Sequence, residues 1–128
     1  MNNRFSYLCQ QELLDHAKHP RNYGLLQQYD FISQYHNPSC GDSVIITGSV
    51  QGGLIKELTF EGKGCMLSLA MASKLTEFCK DKALDQISNF DETIVQELLG
   101  IELGPNRMQC GMLSIKALFQ GLDQIKNR

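Results

Sequence analysis

No window of this chain approaches the roughly 20 consecutive apolar residues of a membrane span. The opening MNNRFSYLCQQELLDH lacks the apolar run of a signal peptide. Neither sign of charge dominates. The formal net charge is −2, which gives no electrostatic footprint for nucleic acid or for an anionic membrane surface. The largest basic cluster, Lys18 to Arg21, is too short to argue for either. Internal repeats, linkers and low-complexity segments are lacking, and so is any CxxC pair. Five cysteines are an odd number, which does not suit a closed disulfide framework. The expected location is the cytoplasm, where thiols stay reduced and metal binding or thiol chemistry takes the place of disulfides. The 128 residues, 42% of them hydrophobic and 20% charged, suit one domain over residues 1–128 with a core that needs no covalent staples.

Along the chain the apolar period changes character. Residues 4–17 are expected as an amphipathic helix, because Tyr7, Leu8, Leu14 and Ala17 fall near helical spacing and His19-Pro20 stops the run. Tyr29 to Tyr35 alternates bulky and polar residues, as a strand does, and Ser43 to Val50 is rich in β-branched residues. Gln51-Gly52-Gly53 signals a hairpin into a strand in which Leu54, Leu58 and Phe60 alternate with Ile55, Glu57 and Thr59. Glu61-Gly62-Lys63-Gly64 is read as a glycine-rich loop. From Cys65 the period becomes helical, with Leu67, Ala70, Met71, Leu75 and Phe78 on one face. Residues 83–99 suggest one or two short helices, with Asp91 as an N-cap. After the break at Gly104-Pro105, Leu113, Ala117, Leu118, Leu122 and Ile125 stripe a last helix. Strands first and helices later predict an α+β fold, a small three-stranded antiparallel sheet with helices packed on one face.

Three cysteines stand at junctions of these elements: Cys40 in the turn NPSCGDSV, Cys65 where a glycine-rich stretch enters a helix, and Cys110 near the start of the last helix. If those junctions share one end of the domain, the three sulfurs converge. Asp42 can join them, because Gly41 allows the backbone to turn Cys40 and Asp42 toward one centre. Zinc takes four such ligands in a tetrahedron, thiolate or carboxylate. The oxygen ligand would be the readiest to exchange, and the helix dipole would favour the Cys65 thiolate. Such a site is net negative, so nearby cations are expected, with Lys63 and Arg107 as candidates. The spacings match no short metal motif, and the bland reading stays open: cysteines also serve as small hydrophobes in a core.

Four segments, in order, carry a resemblance. LLDHAKHPRNYGLL, NPSCGDSV, FEGKGCMLSLAMASKLTEF and RMQCGMLSIKAL are similar to successive motifs of the IscU/SufU (NifU N-terminal) group of iron–sulfur cluster assembly proteins, and together they cover nearly the whole chain. The resemblance implies a compact IscU/SufU-like α+β fold and the ligand set Cys40, Asp42, Cys65 and Cys110. In the SufU branch such a set binds zinc, and the first cysteine accepts sulfur from a cysteine desulfurase. In the IscU branch the same cysteines build a [2Fe–2S] cluster. Gln109 stands where IscU proteins carry a histidine, and Leu103 to Arg107 reads LGPNR in place of LPPVK, the signal for a dedicated Hsp70, whose binding is therefore not expected. Both departures lean toward SufU. The stretch from Cys65 to Cys110 leans the other way, since it is close to IscU length and lacks the usual SufU insertion.

Three functional readings follow. The first is a zinc-bound sulfurtransferase. It takes persulfide sulfur from a PLP-dependent, SufS-type desulfurase onto Cys40, with Asp42 holding that cysteine, and passes it to a downstream scaffold or apo iron–sulfur protein. The second is a non-enzymatic scaffold holding iron or a transient [2Fe–2S] cluster on Cys40, Cys65 and Cys110. The third is a purely structural zinc domain, in which Cys40 is unreactive. Cys9 and Cys79 are read as structural thiols and His36 as a solvent-facing loop residue. His16 and His19 are read as ties between the helix end and the loop, and Met66, Met71 and Met112 as core packing.

Overall fold

The computed structural model describes residues 3–38 and 41–126, with the side chains of residues 3–7 and 9 excepted. The elements are α1 (Asn3–Lys18), β1 (Phe31–His36), β2 (Ser43–Gln51), β3 (Leu54–Lys63), α2 (Met66–Cys79), α3 (Leu84–Ile87), α4 (Glu92–Leu99) and α5 (Pro105–Lys126). The strands form an antiparallel sheet in the order β1-β2-β3. Helix α5 packs on β1 and β2, α2 on β3, and α1 and α4 pack on α2. This is the α+β architecture expected from the sequence.

The strand alternation sets the buried face. Phe31 and Ser33 of β1, Val44 and Ile46 of β2, and Leu58 and Phe60 of β3 all point under the helices. Gly52 and Gly53 have φ of 62° and 77°, the left-handed pair that a two-residue hairpin turn of right-handed twist requires. Just beyond the turn the register slips: Ser49 faces Glu57 but Val50 faces Ile55. The extra residue on β3 reverses the alternation, so Ile55, expected to point outward with Glu57, is fully buried. A second correction concerns Glu61-Gly62-Lys63. These residues continue β3, opposite Ile45, Val44 and Ser43. Gly62 is there for close approach, since a Cβ would sit 2.9 Å from the Ser43 carbonyl oxygen.

The helices follow their apolar stripes with one exception. In α2, Ala70, Met71 and Leu75 are buried, as are Leu113, Ala117, Leu118 and Leu122 in α5. Asp91 caps α4 by accepting from the Thr93 N–H at 2.9 Å, and Gly100 closes it in the left-handed conformation. Among the described residues of α1 those that point inward are Leu13 and His16, whereas Leu8 is 58% exposed; the Tyr7 side chain lies outside the described residues. His16 ties α1 to α2: its Nδ1 lies 2.7 Å from the Ser73 hydroxyl, which also accepts from the Arg21 backbone N–H at 2.9 Å. Burial, reinforced by the Arg21 charge, holds the His16 pKa below the usual imidazole range, against the opposing pull of Glu77 and Glu12. His19, at the same helix end, is exposed.

Phe31 decides how closely α5 can approach the sheet. A Cβ on Gly48 would lie 2.3 Å from its ring, and a Cβ on Gly121 equally close from the other side. The ring therefore sits between two glycines, one on β2 and one on α5. Gly48→Ala is expected to lower the unfolding free energy by about 1–3 kcal/mol through overpacking. The loss should shrink when Phe31 is shortened to Leu, as a double-mutant cycle in urea unfolding would read. His16 generates a second expectation. Its unfolded state takes up a proton more readily than the folded state, so its contribution to stability is whole above about pH 6.5 and is lost as the pH falls below that. His16→Gln should flatten the acid side of the stability–pH curve measured by urea unfolding.

Candidate metal centre

The site is assembled where three connections meet. The turn between β1 and β2 is closed by two backbone bonds, Gly41 N–H to Asn37 O at 2.9 Å and Asn37 N–H to Asp42 O at 2.8 Å. Gly41 has a φ of 78°, the left-handed conformation that glycine adopts without strain. Asp42, 6% exposed, is delivered just ahead of β2. Because Ser43 pairs with Lys63, the residues that follow β3 lie beside it. Gly64 is the first of these. A Cβ there would meet the Asp42 Cγ at 2.7 Å, so only glycine leaves room for the carboxyl group. Cys65 is the N-cap residue of α2, in extended conformation.

The Asp42 Oδ2 accepts a hydrogen bond from the Cys65 backbone N–H at 3.3 Å and a short one from the Ser68 hydroxyl at 2.6 Å. An anionic carboxylate at a helix N-terminus is favoured both by the unsatisfied N–H groups and by the helix dipole. The Ser68 oxygen is also 3.4 Å from the Cys65 sulfur and 3.4 Å from the Cys110 carbonyl oxygen. Cys110, in the second turn of α5, completes the cluster. One carboxylate oxygen of Asp42 and the sulfurs of Cys65 and Cys110 all lie within 4.8 Å of one another. Ligands of a tetrahedral zinc, with bonds of about 2.0–2.3 Å, stand roughly 3.5–3.8 Å apart. A closure of about an ångström thus separates the cluster from that geometry, and thiolate and carboxylate donors suit zinc and iron alike. The residues fit a metal ion.

Cys65 and Cys110 open onto a groove of about 570 Å³ between α1, α2 and α5, walled by Leu13, Leu14, Met66, Leu67 and Ile101, with Arg107 on its rim. One thiol is exposed and the other half-buried, so an apolar-walled approach leads to both. A depression of about 690 Å³ is lined by residues 25–30 with Ser49 and Glu57. It holds no thiol or imidazole.

The structure brings together three of the four residues expected from the sequence. Cys40 lies outside the described residues, as does the Cys9 side chain. Of the two candidate cations, Arg107 lines the groove, whereas Lys63 is exposed at the end of β3 and is absent from the groove wall. Cys79 is fully buried, and burial pushes its thiol up to about 12, only partly offset by Lys82. His36 is exposed at the end of β1. Met71 is a core residue, and Met112 is packed against the core at partial burial. Met66, expected in the core, is 47% exposed, because the first turn of α2 projects past the sheet into the groove. Gln109 lines a different groove, between α4 and α5. Two contributors went unread in the sequence, Gly64 and Ser68. The i, i+3 spacing of Ser68 from Cys65 at a helix start is the signal that could have found the hydroxyl.

Fold and cluster together define an α+β protein whose sheet end, helix N-terminus and helix flank present two thiols and a carboxylate to one point, as a metal-dependent thiol protein requires. The chain belongs to the NifU-like N terminal domain family, which matches residues 8–128. It is 33% identical to the zinc-dependent sulfurtransferase SufU of Bacillus subtilis (strain 168), with 90% of this chain and 89% of that one covered. It is 32% identical to the iron–sulfur cluster assembly scaffold protein IscU of Aquifex aeolicus (strain VF5), over 88% of this chain and 73% of that one. The crystal structure of a candidate iron–sulfur cluster assembly scaffold protein for the SUF system, from Fervidobacterium islandicum AW-1, superposes with a TM-score of 0.75 at 25% identity. It covers 91% of this chain and 98% of its own. No described helix is long and apolar enough to cross a membrane.

The exposure difference between thiols gives a direct expectation. In metal-free native protein at pH 8, iodoacetamide should label Cys65 and leave Cys79 unmodified, as peptide mass spectrometry would show. Labelling of Cys79 should require unfolding, because its thiolate is scarcely populated and its sulfur is inaccessible.

Proposed function

We propose that this protein is a zinc-dependent sulfur acceptor in iron–sulfur cluster assembly, with Cys40, Asp42, Cys65 and Cys110 as its metal ligands and Cys40 as the accepting thiol. It acts as one cytoplasmic domain over residues 1–128. The observation that carries the reading is the convergence of the Asp42 carboxylate and the Cys65 and Cys110 sulfurs within 4.8 Å, beside a groove open to a partner. The similarity to the zinc-dependent sulfurtransferase SufU supports it. Zinc held there supplies the positive charge that keeps its thiol ligands deprotonated at neutral pH.

The partner is a PLP-dependent cysteine desulfurase of the SufS type, carrying a persulfide on its own cysteine. The Cys40 thiolate attacks the outer sulfur of that persulfide. A new S–S bond forms on Cys40, the S–S bond of the donor breaks, and its electron pair leaves with the donor cysteine as thiolate. The proton on the outer sulfur travels with it, so no external oxidant or reductant is needed. Asp42, pinned at the N-terminus of α2, keeps the turn that carries Cys40 beside Cys65 and Cys110. The sulfur then passes to a cluster scaffold or an apo iron–sulfur protein.

A second reading, a scaffold that builds a [2Fe–2S] cluster as cargo on Cys40, Cys65 and Cys110, is favoured by the IscU relatives. Clusters usually take four cysteine ligands, and a set in which Asp42 replaces one would release its cargo more readily. Anaerobically purified protein is expected to carry about one zinc per chain for the acceptor. Incubated with a desulfurase and cysteine, it should carry sulfane sulfur on Cys40, and Cys40→Ala should abolish stimulation of the desulfurase. Sulfane sulfur only on other residues contradicts the assignment. A visible iron chromophore transferable to an apo-ferredoxin favours the scaffold.

A further inference from the structure

We propose that Ser68 is a positioning residue of the metal centre: its hydroxyl fixes the rotation of the Asp42 carboxylate, and so decides how that carboxylate is offered to the ion. The inference rests on the ligand reading above and extends it to a residue outside the ligand set.

Ser68 is 5% exposed and stands three residues into α2 from Cys65, so helical spacing returns its side chain beneath that cysteine. A serine hydroxyl has one proton to donate. Three acceptors surround it: Asp42 Oδ2 at 2.6 Å, the Cys65 sulfur at 3.4 Å and the Cys110 carbonyl at 3.4 Å. The first distance is that of a charge-assisted O–H to carboxylate bond, and the other two are loose. The proton therefore goes to Asp42. The Cys65 N–H, at 3.3 Å, reaches the same Oδ2 from the backbone. Two donors converging on one oxygen restrain rotation about the Asp42 Cβ–Cγ bond, which a single weak donor would not do. Gly64 removes the Cβ that would push the carboxyl group away. A carboxylate held in this way enters a metal site with its orientation already set. Without the hydroxyl it must be ordered when the ion binds, at a cost to affinity.

The test is zinc binding by purified metal-free protein in competition with a chromophoric chelator, together with the absorption spectrum of the cobalt(II)-loaded form. Relative to the wild type, Ser68→Ala should weaken zinc by about 10–100-fold, the range of such supporting contacts. In the cobalt form the ligand-field bands should move while the sulfur-to-cobalt charge-transfer intensity stays, because the oxygen ligand and not the thiolates is disturbed. Ser68→Thr and Ser68→Val, matched in volume, separate hydroxyl from packing even if Ser68→Ala fails to fold: Thr should bind zinc more tightly than Val. Equal affinity across these variants overturns the proposal and leaves the metal centre standing. A loss of charge-transfer intensity also overturns it, since the hydroxyl would then act on the Cys65 sulfur. A wild-type protein that binds no zinc removes the proposal together with the functional reading beneath it.

Discussion

The carboxylate of Asp42 reaching the first turn of α2 is the interaction on which the rest of the site depends. It joins the turn after β1 to the junction after β3, two segments far apart in sequence that the sheet register sets side by side. The bond gives α2 an acidic cap in trans, at the end where its exposed N–H groups and dipole favour negative charge. It also buries a carboxylate, which is tolerable only because donors meet it. Once Asp42 is held there, Cys65 lies beside it by chain connectivity, and Cys110 by the packing of α5 against α2.

The remainder of the fold reads as a support for that meeting point. Phe31, enclosed between Gly48 and Gly121, sets the distance between α5 and the sheet, and hence where Cys110 falls. The bulge near the hairpin returns Ile55 to the core and anchors that end of β3, where its backbone bonds to Asp81 and Lys82. The far end of β3 is thereby free to carry its pairing with β2 up to Lys63, one residue short of Gly64. His16, Ser73 and Arg21 fasten α1 to α2, and so hold in place the α1 residues Leu13 and Leu14 that wall the groove. A thiol pair in the open would be oxidised or solvated at random. Here apolar walls and one cation define the direction from which a partner can arrive.

Much of this was legible in the residues. The β-branched run from Ser43, the Gly52-Gly53 turn and the period near 3.6 from Cys65 define elements whose packing leaves little choice of fold class. The motifs around Cys65 and Cys110, with Asp42, gave the cluster, because junction residues of a small sheet gather at one end. What was hidden had physical reasons. A bulge is a register event between two strands, invisible in one strand's alternation, so Ile55 was assigned to the wrong face. Gly62 and Gly64 resemble loop glycines, yet each exists to admit a neighbouring group, a contact that only coordinates reveal. Ser68 carries no metal-ligand signature of its own. Its importance lies in what stands opposite, and a sequence read one residue at a time does not show that. Met66 was placed inward by composition, whereas the helix start carries it past the edge of the core.

The central claim is that one carboxylate and the thiols gathered around it hold a single ion. X-ray absorption at the zinc edge of the purified protein tests that claim most directly. The account predicts a four-coordinate ion with three sulfur scatterers at about 2.3 Å and one oxygen at about 2.0 Å. A shell of four sulfurs, or one built of nitrogen and oxygen alone, would contradict it.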